Sequence, residues 1–145
     1  MGLFGRKKQE KPKGILPVGG YSVQVVGESH YQEALERACG GRSEQGASCE
    51  VTAFLVPEPT NQWDPNAVGV YLDEGEGGEL VKVGHLSRDT AITYKPIGER
   101  LWRDNYWGAV NATIVGGWER GTDRGHFGIT LDLGSPPDCL PAEFR

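Results

Sequence analysis

The residues best suited to bind a ligand lie close together between positions 58 and 66. This segment is dense in residues that favour turns and directly precedes an apolar stretch; it reads Glu58-Pro59-Thr60-Asn61-Gln62-Trp63-Asp64-Pro65-Asn66. Because loops lie on the surface, we expect Trp63 to be exposed or to line a pocket, with partial burial as the alternative. Asn61 and Asp64 can offer hydrogen-bonding groups to a ligand, or they can order the turn by bonding to its backbone.

Patterns typical of catalysis and of metal binding are weak in this chain. The sequence contains no Gly-x-x-x-x-Gly-Lys-(Ser/Thr) loop, no His-Glu-x-x-His pair and no Gly-x-Ser-x-Gly turn. Glu58 and Asp64 can in principle bind a metal, so a metal-dependent nuclease stays the least favoured alternative. We therefore expect a protein that is not an enzyme and that holds no cofactor or metal. The cysteines, which we expect to be reduced, and the histidines lack metal-site spacing; they are Cys39, Cys49, Cys139, His30, His85 and His126.

The elements around this segment predict a small, mainly β domain. Two short helices are expected, one over Tyr31–Ala38 and one capped by Ser87, which Pro96 limits or kinks. Six short strands and two short helices fit a six-stranded β-barrel of the OB-like or SH3-like kind, since closure protects strand edges. The six strands, placed by apolar alternation or by short apolar runs, are Tyr21–Val26, Cys49–Val56, Ala67–Leu72, Leu80–His85, Tyr106–Val115 and His126–Leu133, with Trp107 and Phe127 in the core.

The charge is uneven along the chain, which suggests how the domain is bounded. Residues 1–13 carry five basic side chains against Glu10, or +4, so the remainder carries −9 of the formal net charge of −5. We expect a flexible basic tail over residues 1–18, the barrel over 19–134 and a proline-rich tail over 135–145. An acidic body argues against broad, charge-driven binding to duplex DNA. With no bilayer-spanning apolar run and no visible signal peptide, we expect a cytoplasmic protein without membrane insertion.

Three segments, in this order along the chain, resemble the HIRAN family. Val25-Val26-Gly27-Glu28-Ser29-His30-Tyr31-Gln32 is similar to the family's first strand and following turn. Asn61-Gln62-Trp63-Asp64-Pro65-Asn66-Ala67-Val68 matches a pattern of Asn-Pro-(aromatic)-Asp-x-Asn-Ala-Val. Val83-Gly84-His85-Leu86-Ser87-Arg88 matches a Gly-(Tyr or His)-Leu motif. The resemblance covers roughly residues 21–133, and the three motifs together make it specific.

The resemblance implies a fold and a ligand. HIRAN domains resemble oligonucleotide-binding barrels and occur in fork-remodelling DNA translocases, where they capture the free 3′-hydroxyl end of single-stranded DNA. They also occur as short bacterial proteins without a motor, which this chain resembles. We therefore expect a non-catalytic module for single-stranded DNA with a free 3′ end, active in DNA repair or a related transaction, with a helicase or nuclease as a possible partner.

The resemblance also implies roles for individual residues. Asp64 would accept a hydrogen bond from the 3′-hydroxyl, and Trp63 stands where the family has a stacking Tyr. Arg88 matches a basic position and would pair with phosphate, or it is an ordinary solvated helix charge. His85 would bond phosphate or brace the loop. The remaining candidate DNA contacts are Asn61, Ser29, His30, Tyr31 and Trp118, the last as a second stacking surface.

Departures from the family pattern keep a second hypothesis open. Ser29 and His30 stand where DNA-binding members carry Arg and Tyr, and Gln62 replaces a Pro. The alternative is a protein-interaction adaptor that keeps the barrel without DNA binding, with Trp63 and Trp118 as its anchors.

Overall fold

The computed structural model describes residues 13–14, 18–73 and 79–133, and within them the chain is mainly β with two α-helices. Helix α1 spans Gln32–Cys39 and α2 spans Arg88–Arg103, and a single 3-10 turn covers Glu28–His30. The strands are β1 Lys13–Gly14, β2 Val18–Val26, β3 Ala47–Pro57, β4 Val68–Asp73, β5 Leu80–Leu86, β6 Tyr106–Gly116, β7 Glu119–Arg120, β8 Asp123–Arg124 and β9 Phe127–Leu133.

Six of these strands form an antiparallel sheet in the order β6-β3-β4-β5-β2-β9, and β9 pairs with β6 as well. The pairing of β2 with β5 is short and consists of Val25 with Leu86 and Val26 with His85. The predicted mainly β fold with an antiparallel six-stranded sheet is confirmed. The closure of this sheet into an OB-like or SH3-like barrel stays a prediction.

Apolar alternation explains why the sequence positions the strands well. In β9 the side chains of Phe127, Ile129, Leu131 and Leu133 are buried, while the residues between them are partly exposed. Successive strand side chains point to opposite faces, so this pattern places one face of β9 in the core. Each of the six strands predicted from the sequence overlaps an observed strand, with ends that shift by a few residues.

Helix α2 begins close to the candidate ligand-binding segment at positions 58–66. The N-cap hydroxyl of Ser87 accepts a hydrogen bond from the Thr90 amide at 3.3 Å, as the sequence predicts. Pro96 does not end the helix, which continues to Arg103. The reason is tertiary packing: the helix buries Tyr94 and Leu101 on either side of the proline, and this burial outweighs the cost of the missing amide.

The hydrophobic core has two parts. The larger part fills the space between the sheet and both helices and contains Leu35, Leu55 and Phe127. The smaller part joins Trp107 to Val56 and Tyr71, and Trp102 stacks on Trp107 with ring centroids 6.1 Å apart. The predicted core positions of Trp107 and Phe127 are confirmed.

Three details differ from the sequence-based expectation or extend it. Lys13–Gly14, which fall in the predicted basic tail, pair in parallel with Tyr106–Trp107. A small hairpin of β7 and β8 occupies the predicted loop between β6 and β9. Cys39 and Cys49 are free thiols packed against the core, and Cys139 lies outside the described residues.

No helix in the described ranges combines the length and apolar character needed to cross a bilayer.

Candidate functional site

The turn that joins β3 to β4 is held by local hydrogen bonds. Asn61 Oδ1 accepts from the backbone amides of Trp63 at 2.8 Å and of Asp64 at 3.0 Å. Asp64 Oδ1 accepts from the Asn66 amide at 2.9 Å, and the Asp64 carbonyl accepts from the Ala67 amide at 3.0 Å. Asn61 and Asp64 therefore order the turn, as their side-chain chemistry predicts.

This order fixes Trp63 in an exposed position. Trp63 is 86% exposed, so the alternative of partial burial is wrong. The Asp64 side chain is 21% exposed, and its Oδ2 lies 3.9 Å from Arg88 Nε. Arg88 is itself 86% exposed at the start of α2, so this ion pair is loose and both groups remain accessible to a ligand. The turn thus presents an indole ring, a carboxylate oxygen and a guanidinium together.

A carboxylate that the sequence analysis considered only as a metal ligand lies beneath the turn. Glu58 Oε1 accepts from Asn61 Nδ2 at 3.1 Å and lies 3.2 Å from His85 Nε2. Its Oε2 lies 2.7 Å from Lys82 Nζ and accepts from the Tyr71 hydroxyl at 3.2 Å. Only 15% of the Glu58 side chain is exposed. The carboxylate therefore links the turn to β4 and β5.

The charge state of this cluster follows from its contacts. Burial raises the pKa of Glu58, but hydrogen bonds from His85, Lys82 and Asn61 outweigh burial and lower this pKa to about 2. Burial raises the pKa of the Tyr71 hydroxyl, and the neighbouring Glu58 raises it further. Glu58 is thus charged and Tyr71 is neutral at physiological pH.

His85 and Arg88 come from the predicted strand-to-helix segment. His85 lies on β5, is 28% exposed and bonds with Glu58, which agrees with the bracing role that the sequence analysis kept as an alternative. Arg88 is the first residue of α2 and points its charge toward Asp64. The structure therefore brings Asn61, Asp64 and both of these residues into one place.

The first turn after β2 lies beside the same region. Ser29 and His30 are exposed residues of the 3-10 turn, which contacts β5. Tyr31 is partly buried against the larger core. Ser29 also lines a cavity of about 410 Å³ together with Glu28, Gln32 and His126.

Trp118 lies in a different local environment. It forms a bridge with Ser43, and the Arg120 guanidinium stacks 4.9 Å from the centroid of its ring. Gly125 packs so closely on the indole that a side chain at this position would collide with it. These contacts tie Trp118 to the β7–β8 hairpin, and its role as a second stacking surface stays a prediction.

A metal site does not emerge from the described residues. Within residues 13–14, 18–73 and 79–133 there is no group of three or more His, Cys, Asp and Glu side chains placed to hold a metal ion. Glu58, one of the two carboxylates considered for a metal, uses both oxygens for protein donors. The nuclease hypothesis therefore has no metal centre in this part of the chain.

Lys82, Tyr71 and the contacts of Glu58 were not among the residues and contacts predicted from the sequence. Lys82 gave a usable signal, because it is the single charged residue within the apolar run of β5. A cation in such a strand needs a buried partner. The sequence does not reveal which carboxylate supplies it, since Glu58 lies two strands away.

Comparison with known proteins places the chain in a family. The family model described as HIRAN domain matches residues 18–103, which is more than half of the 145 residues. No curated protein and no solved structure matches the chain. The match includes all three segments in which the sequence resembles the family, and this chain belongs to the HIRAN domain family.

Proposed function

We propose that this HIRAN domain binds the 3′ end of single-stranded DNA at the Asn61–Asp64 turn without catalysing a reaction. Membership of the HIRAN family indicates a DNA-binding module. The observation that carries the finer proposal is the 86% exposure of Trp63 on a turn whose backbone is fixed by Asn61. An exposed aromatic ring on an ordered turn is suited to stack on a terminal base, because little entropy is lost when the base binds.

Asp64 supplies the proposed selectivity for ends. One of its oxygens is occupied by the Asn66 amide, and the other faces the exposed Arg88 side chain. A 3′-hydroxyl can donate a hydrogen bond to this second oxygen, whereas a 3′-phosphate would bring a negative charge against it. Arg88, at the start of α2, is placed to pair with the phosphate that precedes the terminal nucleotide.

The small number of positive charges near the turn limits the affinity that we expect for single-stranded DNA. The described cations near the turn are Lys82, Arg88 and Lys95; Lys82 is already paired with Glu58, and Lys95 Nζ donates to Asn66 Oδ1 at 2.9 Å. Ser29 and His30 are exposed on the neighbouring 3-10 turn, but neither supplies the permanent charge of the Arg found in DNA-binding members. We therefore expect weak binding that concerns only the last one or two nucleotides and has a shallow salt dependence.

The test uses three labelled oligonucleotides of one sequence: linear with a 3′-hydroxyl, linear with a 3′-phosphate, and circular. We expect the 3′-hydroxyl form to bind best, and equal weak binding of all three would refute end recognition. Trp63→Ala should weaken binding by about 1–3 kcal/mol, the usual contribution of base stacking. Asp64→Asn, which retains an acceptor for the Asn66 amide, should lose the preference for the hydroxyl. Ile92→Ala is the control, because Ile92 is an exposed apolar residue on α2.

A second candidate function is a protein-interaction adaptor, and one observation favours it. A cavity of about 340 Å³ lies against the turn, and its lining combines apolar residues such as Pro57, Pro65 and Trp102 with the charged Lys95, Glu99 and Arg103. An exposed Trp63, on the turn that contributes Pro65 to this cavity, is typical of a hot spot for protein binding. Equal weak binding of the three oligonucleotides would favour this function. A role in DNA repair, a helicase or nuclease partner and a cytoplasmic location belong to the leading proposal.

A further inference from the structure

The backbone of Glu58 closes the turn, and its carboxylate makes additional polar contacts that closure does not require. The Glu58 backbone already closes the loop, since its amide donates to the Ala67 carbonyl at 2.9 Å and its carbonyl accepts from the Asn61 amide at 3.0 Å. The side chain adds contacts to Asn61, Tyr71, Lys82 and His85 at 2.7–3.2 Å. Both oxygens thus have two partners, which is the full acceptor capacity of a carboxylate.

The contact with Asn61 determines how that amide is oriented. A side-chain amide has a donor end and an acceptor end, and Asn61 Nδ2 donates to Glu58 Oε1 at 3.1 Å. This leaves Asn61 Oδ1 directed at the backbone amides of Trp63 and Asp64. The position of the two residues that face a ligand therefore depends on a carboxylate that lies beneath them.

The strand packing leaves space for this carboxylate. Gly69 on β4 pairs with Val56 on β3 and with His85 on β5. A Cβ atom at Gly69 would lie 2.5 Å from Glu58 Oε2 and 2.6 Å from Tyr71 Cε1. Because real Cβ atoms do not approach oxygen so closely, a side chain at Gly69 would displace Glu58 from the cluster.

We propose that Glu58 is a positioning residue that orients Asn61, and through it Trp63 and Asp64, for ligand binding. The ligand in this statement is the single-stranded DNA end of the proposed function, and the inference rests on it in that respect. Glu58 itself lies under the turn and contacts Asn61 rather than the ligand. A neutral amide at this position has one acceptor oxygen and cannot serve all four groups, so in Glu58→Gln alone Lys82 would lose its counter-ion.

The first test needs no ligand and measures backbone amide hydrogen exchange by NMR in the full chain. In Glu58→Ala we expect the Trp63 and Asp64 amides to exchange about tenfold faster relative to core amides such as Ile129, because a hydrogen bond to a charged group is lost. A purely structural role would raise exchange at the turn and in the core by the same factor, and that result would overturn the proposal. Glu36→Ala is the matched control, since Glu36 is paired with Arg42 at 3.0 Å on another part of the molecule.

A second variant keeps the test decisive if Glu58→Ala does not fold. In Glu58→Gln combined with Lys82→Met, the Gln oxygen can still accept from Asn61 and His85, and no unpaired cation faces the Gln amide. We expect exchange at Trp63 and Asp64 to stay within about twofold of the unaltered protein, because the bond that orients Asn61 is retained. Tenfold faster exchange in this rescue variant would overturn the proposal.

Oligonucleotide titrations test this inference separately from the proposed function. In the unaltered protein and each variant, the 3′-hydroxyl and 3′-phosphate oligonucleotides are titrated in parallel. We expect Glu58→Ala to reduce the preference for the hydroxyl by about fivefold or more, within the range for a misplaced hydrogen-bond acceptor. If the unaltered protein binds neither oligonucleotide while the exchange results hold, the DNA proposal fails and the positioning role of Glu58 stands. Full preference in a folded Glu58→Ala would contradict the positioning role alone.

Discussion

Glu58 and Lys82 form an ion pair across strand β4, with Oε2 and Nζ 2.7 Å apart. Glu58 follows β3 and Lys82 lies on β5, so the pair spans the strand between them. The side chains are only 15% and 24% exposed, which sets this pair apart from the surface ion pairs of the molecule. A pair of this kind is strongly destabilised when one partner is removed, because the other charge stays buried without a counter-ion.

Removing the cation of this pair should therefore lower stability. We expect Lys82→Met to reduce the free energy of unfolding by about 2 kcal/mol, since Glu58 would keep its charge with fewer donors. Urea unfolding followed by far-ultraviolet circular dichroism measures the change. Arg124→Met is the control: its pair with Glu119 has the same 2.7 Å distance but is far more exposed, and the change should stay below about 1 kcal/mol. Equal losses in both variants would contradict the importance of burial.

The lowered pKa of Glu58 predicts a dependence of stability on pH. The pKa is lowered from the ordinary 4.5 to about 2 in the folded chain, so the unfolded chain takes up the proton first as the pH falls. The stabilisation from Glu58 is thus complete above pH 4.5 and is lost as the pH falls toward 2. Urea midpoints at several pH values should fall more steeply for the unaltered protein than for Glu58→Gln. Parallel profiles would show that Glu58 has an ordinary pKa.

The N-cap of α2 should contribute to stability independently of the site. Ser87→Ala removes the acceptor of the Thr90 amide and should cost about 1 kcal/mol. Ser87→Gly should cost only a few tenths of a kcal/mol, because glycine is tolerated at an N-cap. Thermal and urea unfolding of the two variants measure the difference. If Ser87→Gly were less stable than Ser87→Ala, helix α2 would not depend on this cap.

Replacing Arg88 should alter DNA binding while leaving the free energy of unfolding nearly unchanged. Its side chain is 86% exposed and its contact with Asp64 is 3.9 Å long, so Arg88→Ala should change the free energy of unfolding by no more than about 0.5 kcal/mol. If Arg88 contacts one phosphate, the slope of log affinity against log salt should become shallower by about 0.7. Binding of the 3′-hydroxyl oligonucleotide at several salt concentrations checks this. An unchanged slope would show that Arg88 is a solvated surface charge that does not contact phosphate.

Much of the fold could be predicted because its signals are local. Alternating or continuous apolar residues located the six sheet strands, and the Ser87 cap located the start of α2. The β7–β8 hairpin was missed because its strands are polar and carry no apolar alternation, as with Asp123 and Arg124. The passage of α2 through Pro96 was also not predictable, since it depends on burial against the sheet rather than on helix propensity.

The sequence by itself determined the turn at Asn61–Asp64 and the family to which it belongs. The physical reason is that its hydrogen bonds join residues two or three positions apart, and Asn and Asp form such bonds wherever the chain turns. Only the tertiary structure decided what lies beneath the turn. His85 is 27 residues from Glu58 along the chain, and the two meet because strand order and register place β5 beside β4. A carboxylate at position 58 is thus visible in the sequence, but its partners are set by the sheet.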